Sequence, residues 1–223
     1  QNRVAAHHVR KYGIVSGNVR KLDKIKMTET YPQDYYNLIR HDALDVLPKK
    51  QSFERVLDIG CGEGLTAEHL KQTRGATCVT GIEVVAEAAE QAKQRLDRVL
   101  HISAEASELP LEPESFDLLL CLDVLEHLND PWNALQRYAS FLKPGGVALI
   151  SLPNAQNWKI ILNLIKGRWQ YTDHGIMDQT HLRFFTVNSA VEMVRNAGLE
   201  IKTLKRSMGP ELKFVNALTF GLF

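Results

Sequence analysis

The fold is decided by one stretch, Val56-Leu57-Asp58-Ile59-Gly60-Cys61-Gly62-Glu63-Gly64. Arg55–Ile59 is a short β-rich run that ends in glycines, and Leu65–Gln72 behind it has helical character. The glycines therefore stand at a strand-to-helix turn. At alternate positions they remove Cβ atoms where the chain bends and let a ligand lie against the backbone. The helix that follows offers that ligand its free N–H groups and the positive end of its dipole. The spacing is G-x-G-x-G, unlike the G-x-G-x-x-G of nicotinamide binders, and no Gly-Lys-Ser/Thr ending marks a triphosphate loop. Asp58, just before the turn, suits an amino group better than a pyrophosphate. Together these features point to a ligand with an ammonium group and no phosphates.

Working outward, Thr77–Ile82 reads as a second strand and Glu83 stands at its end, 21 positions after Gly62. A carboxylate there is placed to accept hydrogen bonds from both hydroxyls of a ribose. Val85–Leu96, rich in Ala, Glu, Gln and Lys, predicts a helix, and Val99–Ile102 a third strand. Phe116–Leu122 is almost continuously apolar, as expected of a parallel strand buried on both faces. Trp132–Leu142 predicts a helix stopped by Pro144-Gly145-Gly146, and Val147–Leu152 another buried strand. Alternating strands and helices imply a parallel sheet with crossover helices, whose ligands sit beyond the carboxyl ends of the strands. Upstream, Gln33–Leu47 reads as a helix behind Thr30-Tyr31-Pro32. Downstream, Asn157–Lys166 is amphipathic, Gly167–Thr180 is a polar and aromatic loop, Thr186 can cap a helix over Val187–Ala197, and Glu200–Leu204 resembles a late strand.

With its companions, the glycine loop resembles the class I S-adenosylmethionine-dependent methyltransferases over roughly residues 54–154. The companions are Glu83, Glu105-Ala106 with Leu109-Pro110 and Ser115-Phe116-Asp117, then Leu125-Glu126-His127-Leu128-Asn129-Asp130-Pro131 and Leu142-Lys143-Pro144-Gly145-Gly146. The resemblance implies a Rossmann-like three-layer αβα sandwich with a mostly parallel, seven-stranded sheet, and S-adenosyl-L-methionine as cofactor with S-adenosyl-L-homocysteine as product. Residue by residue, it implies that Asp58 serves the methionine amino end and that Gly60, Cys61, Gly62 and Gly64 lie along the cofactor. Glu83 and Val84 would take the ribose end, Glu105 and Ala106 the adenine, and Leu122 and Asp123 would border the transferable methyl group. Many relatives carry Asp where this chain has Glu105. Asp117 is expected to open its strand and Asp123 to face the pocket.

Methyl transfer from a sulfonium is an in-line displacement, so alignment of the acceptor and exclusion of water can supply most of the acceleration. A hydroxyl or amine acceptor can also need a base. His127 is one candidate catalytic residue, because its segment follows the fourth strand; the alternative is a helix-start residue holding local geometry. His181 is the second, within Asp178-Gln179-Thr180-His181-Leu182-Arg183-Phe184-Phe185-Thr186. This run, with Gly167-Arg168-Trp169-Gln170-Tyr171, resembles a subgroup associated with cell-surface polysaccharide biosynthesis. Trp169, Tyr171, His174 and Arg183 are the candidate substrate-binding residues; the alternative is a lid docked onto the sheet, with Arg183 paired to an internal acid. Trp158, Ile161, Leu162, Ile165 and Trp169 form an apolar stripe flanked by Lys159, Lys166 and Arg168, which could close over a substrate, rest transiently on a membrane surface, or pack on the core.

The expected reaction is methyl transfer to an oxygen or nitrogen of a small or glycan-like acceptor. Its rivals are a quinone- or lipid-directed methyltransferase, a non-catalytic cofactor-binding module and a nucleic-acid methyltransferase. The last is disfavoured by Leu122-Asp123-Val124-Leu125, which lacks an Asn/Asp-Pro-Pro-Tyr/Phe pattern, so nucleic acid is not an expected partner. The 223 residues, 44% apolar and 24% charged, suit one α/β domain. The boundaries read as a basic extension over 1–29, a methyltransferase domain over 30–206 with a lid insertion near 155–185, and a C-terminal segment over 207–223 that could add a last strand. Residues 1–26 hold seven Lys/Arg against the single acid Asp23, in a chain whose net charge is only +1. Such an arm is either a solvated terminus or a contact for anionic partners. Cys61, Cys78 and Cys121 show no zinc or redox spacing, no metal site is expected, and an odd count of thiols suits a reducing, cytoplasmic compartment. No apolar run spans a bilayer and no signal-peptide pattern opens the chain at Gln1, whose natural start is expected upstream.

Overall fold

The structure, a computed structural model, describes residues 38–206. The basic arm, residues 33–37 of the upstream helix and the proposed last strand lie outside the described residues. What remains of the upstream helix is one turn, α1 (His41–Leu44), rather than a helix to Leu47.

Five strands, β1 (Arg55–Ile59), β2 (Cys78–Glu83), β3 (Arg98–His101), β4 (Phe116–Leu122) and β5 (Leu142–Ser151), form one parallel sheet in the order β3-β2-β1-β4-β5. The expected architecture is therefore present with five strands, not seven, among the described residues. Glu200–Leu204 is not a strand. Side-chain alternation explains the two-sided burial. Leu57, Ile59, Leu119 and Cys121 join one apolar cluster, whereas Val56, Leu118 and Leu120 join the other. The first cluster is covered by Leu135 and Tyr138 of α4 (Pro131–Ala139) and Met193 of α6 (Val187–Asn196). The second is covered by Ala67 and Leu70 of α2 (Leu65–Thr73), Ala92 of α3 (Ala86–Ala92) and Leu44 of α1. That is the three-layer sandwich.

Two boundaries differ from the sequence reading for local reasons. Pro144-Gly145-Gly146 does not end a helix but lies inside β5, where the register with β4 shifts between Phe116 and Leu118. A bulge on an end strand accommodates a proline without an N–H and Gly145 at φ +80°. The helix before it ends earlier, at Ala139. By contrast, α6 begins directly after Thr186, the residue named as its cap, and α5 (Trp158–Ile165) begins one residue inside the stretch read from Asn157. Asn157 accepts from the Lys159 N–H at 3.0 Å, and Thr186 closes a reciprocal cap with Ser189.

The sheet order reverses between β1 and β4, so the loops after these two strands diverge to opposite faces and leave a crevice at their carboxyl ends. The glycine loop, Glu83, Glu105-Ala106 and Leu125–His127 all lie at or just beyond the carboxyl ends of their strands at that edge.

Candidate functional site

The glycine loop follows β1 with Gly60, Gly62 and Gly64 all at positive φ, +69°, +55° and +84°. Gly60 tolerates no side chain: a Cβ there would lie 2.6 Å from Cγ2 of Val124, in the loop after β4. The two loops flanking the crevice are thus in backbone-to-side-chain contact. Gly60 and Cys61 both donate to the Ile82 carbonyl at 2.8 and 3.0 Å, which ties the loop to the end of β2. Cys61 points inward rather than to a ligand. Its sulfur fills the space beside Gly81, and burial with nearby Asp58 and Glu83 pushes its thiol pKa far up, leaving an inert thiol.

Glu83 is 5% exposed and its carboxylate closes the loop. One oxygen accepts from Gly62 N–H at 2.9 Å, the other from Val84 and Val85 N–H at 2.9 and 2.8 Å. Val84 itself is 63% exposed beside it. Asp58 is buried at 4% exposure and makes no hydrogen bond or ion pair among the described residues. Burial first and the charge of Glu83 second push its carboxyl up to about 8. A buried carboxylate without a partner beside a cradle of backbone N–H groups fits a ligand that brings its own cation. This is the fit expected for the ammonium of S-adenosylmethionine, with Glu83 and the glycines along the ribose and the amino-acid arm.

Glu105 and Ala106 lie in the turn after β3. Both oxygens of Glu105 are engaged, accepting from Asn129 Nδ2 at 2.8 Å and from Asp130 N–H at 3.0 Å. An acid one methylene longer than the Asp of many relatives thus reaches the start of α4. Arg137 and Tyr138 of α4 hold the same turn through the Ala104 carbonyl at 3.0 and 2.8 Å.

The loop after β4 starts with Leu122, half-buried, and Asp123 in the left-handed region at φ +54°. That conformation is uncommon outside glycine and is held here by the surroundings. Asp123 accepts from Ser151 Oγ at 2.8 Å and is ion-paired to Arg40, which is also forked onto Asp42 at 3.0 Å. Arg40 is a site residue that sequence reading missed. It stands in the segment read as the upstream helix, where nothing local marks it, and only the fold brings it to a partner 83 positions away. Asp117, as expected, lies elsewhere, at the start of β4, bonded to Arg55 N–H and Lys143.

His127 and His181 meet, although 54 residues separate them. Their rings stand edge to face, 4.7 Å between centroids. His127 closes the 3-10 turn Leu125–His127, and the segment bearing His181 docks on that turn through two N–H groups, of Leu182 and Arg183, on the Glu126 carbonyl at 2.8 and 3.0 Å. Beside the rings lies Glu126, 1% exposed, with no hydrogen-bond partner for either carboxylate oxygen among the described residues. Burial and the charge of Asp123 push its carboxyl up to about 8. Burial and His181 hold His127 below the usual histidine range. Sequence reading named His127 and His181 but passed over the acid between Leu125 and His127, whose position inside an apolar run was the available signal.

The four candidate substrate residues do not gather at this pair. The Arg183 guanidinium donates to the Asn129 and Leu182 carbonyls and lies over Trp132, 6.0 Å from the ring centre, contacts that fasten the segment to α4. Trp169 and Tyr171 stack loosely around Phe184, at 5.3 and 6.3 Å, and are 42% and 54% exposed. Phe184 is in turn 6.3 Å from His181, so these aromatics form an open rim beside the histidines. His174 is exposed and contributes its carbonyl to Thr172.

A parallel sheet with its crevice at the reversal point, a glycine cradle, a buried acid awaiting an ammonium and a carboxylate at the β2 end define a Rossmann-like binder of an amino-acid nucleoside. The chain belongs to the family described as methyltransferase domain, whose model matches residues 28–204. It is 30% identical to a ubiquinone biosynthesis O-methyltransferase of Neisseria meningitidis over 210 residues, 88% of this chain and 87% of that one. Over a shorter stretch of 99 residues it is 38% identical to the 27-O-demethylrifamycin SV methyltransferase of Amycolatopsis mediterranei, covering 42% of this chain and 36% of that one. Among solved structures it is similar to an S-adenosylmethionine-dependent methyltransferase of Thermotoga maritima, with 27% identity, a TM-score of 0.55, and coverage of 72% of this chain and 69% of that one. The chain is a class I S-adenosylmethionine-dependent methyltransferase. No helix among the described residues is long and apolar enough to cross a membrane.

Proposed function

We propose that this enzyme methylates a hydroxyl oxygen of an aromatic, lipid-tailed acceptor of the quinone-precursor kind. The observation that carries this reading is the juxtaposition of the His127–Glu126–His181 cluster with an apolar rim. Trp169, Tyr171 and Phe184 stand on one side of it. Beyond them α5 carries Ile161, Leu162, Leu164 and Ile165 at 39–76% exposure, with no buried residue in the whole helix. An apolar helix with only Trp158 and Ile160 half-buried and the rest of its apolar residues exposed is an uncommon surface for a small polar acceptor to need. It suits an isoprenoid-like tail, and a brief contact with the membrane that holds one, helped by Lys166 and Arg168 at its end. The ubiquinone biosynthesis relative, matched over most of both chains, supports the same acceptor class.

In this reading Asp58, Gly60, Gly62, Gly64 and Glu83 hold the cofactor, with Leu122 and Asp123 beside the reacting end. The cofactor, when bound, supplies an electrophilic methyl on a positively charged sulfur. The described carboxyl edge is rich in acids, Asp58, Glu83, Asp123 and Glu126, with Arg40 as counter-charge to Asp123 alone, so it favours a cationic ligand. The acceptor oxygen forms its bond to the methyl carbon as the carbon–sulfur bond breaks, its electron pair passing to sulfur and the hydroxyl proton leaving. His127 and His181 lower the cost of that proton loss.

An acceptor screen with detection of S-adenosylhomocysteine tests the proposal. Turnover is expected on catechols bearing a prenyl tail and not on sugar hydroxyls. Turnover confined to sugars or nucleotide-sugars would overturn it in favour of the polysaccharide subgroup.

A further inference from the structure

The buried cluster at Glu126 has a feature that direct base catalysis does not require. In both histidines the proton is assigned to Nδ1 by fixed partners. His181 Nδ1 lies 3.0 Å from the Ile176 carbonyl, which can only accept, so that nitrogen donates. His127 Nδ1 lies 3.1 Å from Thr180 Oγ1. The Thr180 hydroxyl donates to Asp178 Oδ1 at 2.7 Å, so its oxygen is the acceptor for His127. Asp178 is itself 2% exposed and also accepts the Thr180 N–H at 2.8 Å. Both rings therefore keep an Nε2 lone pair, and both are oriented by an outer layer of carbonyl, hydroxyl and carboxylate. That arrangement is how proteins hold imidazoles for a metal ion.

The remaining geometry agrees. His181 Nε2 is 4.0 Å from Glu126 Oε1, too far for a hydrogen bond. Two ligand atoms each about 2.1 Å from one octahedral or tetrahedral cation stand about 3.0–3.4 Å apart, so this gap must close by about 0.6–1.0 Å when an ion bridges it. One ligand atom from each of Glu126, His127 and His181 lies within 4.8 Å of the other two, so gathering all three on one ion draws the widest separation in by roughly 1.4–1.8 Å. The independent pointer is Glu126. Its carboxylate is 1% exposed and both of its oxygens lack a partner among the described residues, a costly state that a bound cation relieves.

We propose that Glu126, His127 and His181 bind a divalent first-row transition ion, with open coordination positions facing the acceptor. Two imidazoles and one carboxylate favour Mn2+, Fe2+, Co2+ or Zn2+ over Ca2+. Three protein ligands leave room for one or both oxygens of a catechol-like acceptor, whose hydroxyl the cation acidifies so that its proton leaves to solvent. The histidines then act on the hydroxyl through the ion. Where the acceptor sits rests on the O-methylation reading; the existence of the cation site does not.

The test is a cobalt titration of the full chain after chelator treatment and desalting, with neither cofactor nor acceptor present. Visible ligand-field absorption saturating at one Co2+ per chain is expected. Glu126→Gln and His181→Gln, checked for an unchanged circular dichroism spectrum and melting temperature, are expected to lose it. Thr180→Val, which removes only the outer hydroxyl, is expected to weaken binding by about 10–100-fold and keeps the assignment testable if the ligand variants fail to fold. Absence of both absorption and heat at millimolar cobalt in the wild type, or unchanged affinity in the variants, would overturn it. A failed titration leaves the acceptor screen standing, and a failed screen leaves the titration standing.

Discussion

Gly60→Ala isolates the contact that joins the two loops of the crevice. The residue sits at φ +69°, and an added Cβ would stand 2.6 Å from Cγ2 of Val124. The left-handed conformation costs a non-glycine residue about 1–2 kcal/mol. Forcing a methyl into occupied space costs about 1–3 kcal/mol more. The sum, roughly 2–5 kcal/mol, corresponds to a fall in melting temperature on the order of 4–20 °C for a chain of this size. Gly145→Ala is the matched control, because φ is +80° there and nothing lies within 4 Å of the new Cβ, so only the backbone penalty of about 1–2 kcal/mol applies. Adding Val124→Ala to Gly60→Ala should recover the steric part, giving a favourable coupling of about 1–3 kcal/mol. Differential scanning calorimetry of the wild type, Gly60→Ala, Gly145→Ala, Val124→Ala and the double variant reads these shifts. A Gly60→Ala shift no larger than that of Gly145→Ala, with no coupling to Val124, would refute the reasoning.

Two further outcomes follow from charge and exposure. Asp58, raised in the folded chain to about 8 from an ordinary carboxylate value, contributes stability that is full below about pH 4 and is lost as pH rises through about 8. Cofactor-free protein should therefore lose melting temperature between pH 6 and about 9 less steeply in Asp58→Asn than in wild type, with Glu83 and Cys61 the other titratable groups facing it. Binding an ammonium beside Asp58 should also release close to one proton at neutral pH, seen as a binding heat that varies with the ionisation enthalpy of the buffer; a buffer-independent heat would contradict this. Ile165→Glu, at a residue 76% exposed, should change stability by no more than about 0.5 kcal/mol yet abolish flotation with vesicles containing anionic lipid; unchanged flotation would remove the membrane contact from the account.

How far the sequence reached depended on the distance over which each feature is determined. The apolar run Phe116–Leu122 and the strand Arg55–Ile59 match their observed bounds, because both record continuous burial in neighbouring residues. The Thr186 cap was legible because capping is decided within one turn. Pro144-Gly145-Gly146 misled because a breaker signal marks an interruption without saying whether a helix or a strand is interrupted. The cofactor side of the site was readable since Asp58, the glycines and Glu83 sit at strand ends whose placement the alternating pattern dictates. The acceptor side was only half readable. His127 and His181 carry chemistry in their identity, but nothing local brings them within 4.7 Å, sets Glu126 beside them, or carries the Arg183 guanidinium to the Asn129 carbonyl 54 positions away. Arg40 reaches Asp123 only through the tertiary fold.

The central claim is that the carboxyl edge of β1 and β2 holds S-adenosylmethionine through Glu83 and the glycine cradle. Isothermal titration of S-adenosylhomocysteine into wild type and Glu83→Ala tests it most directly. One site per chain in the wild type is predicted, with affinity weakened at least about 100-fold, or 2.7 kcal/mol, in a variant that still melts cooperatively. No binding to the wild type, or equal affinity in the two proteins, would contradict it.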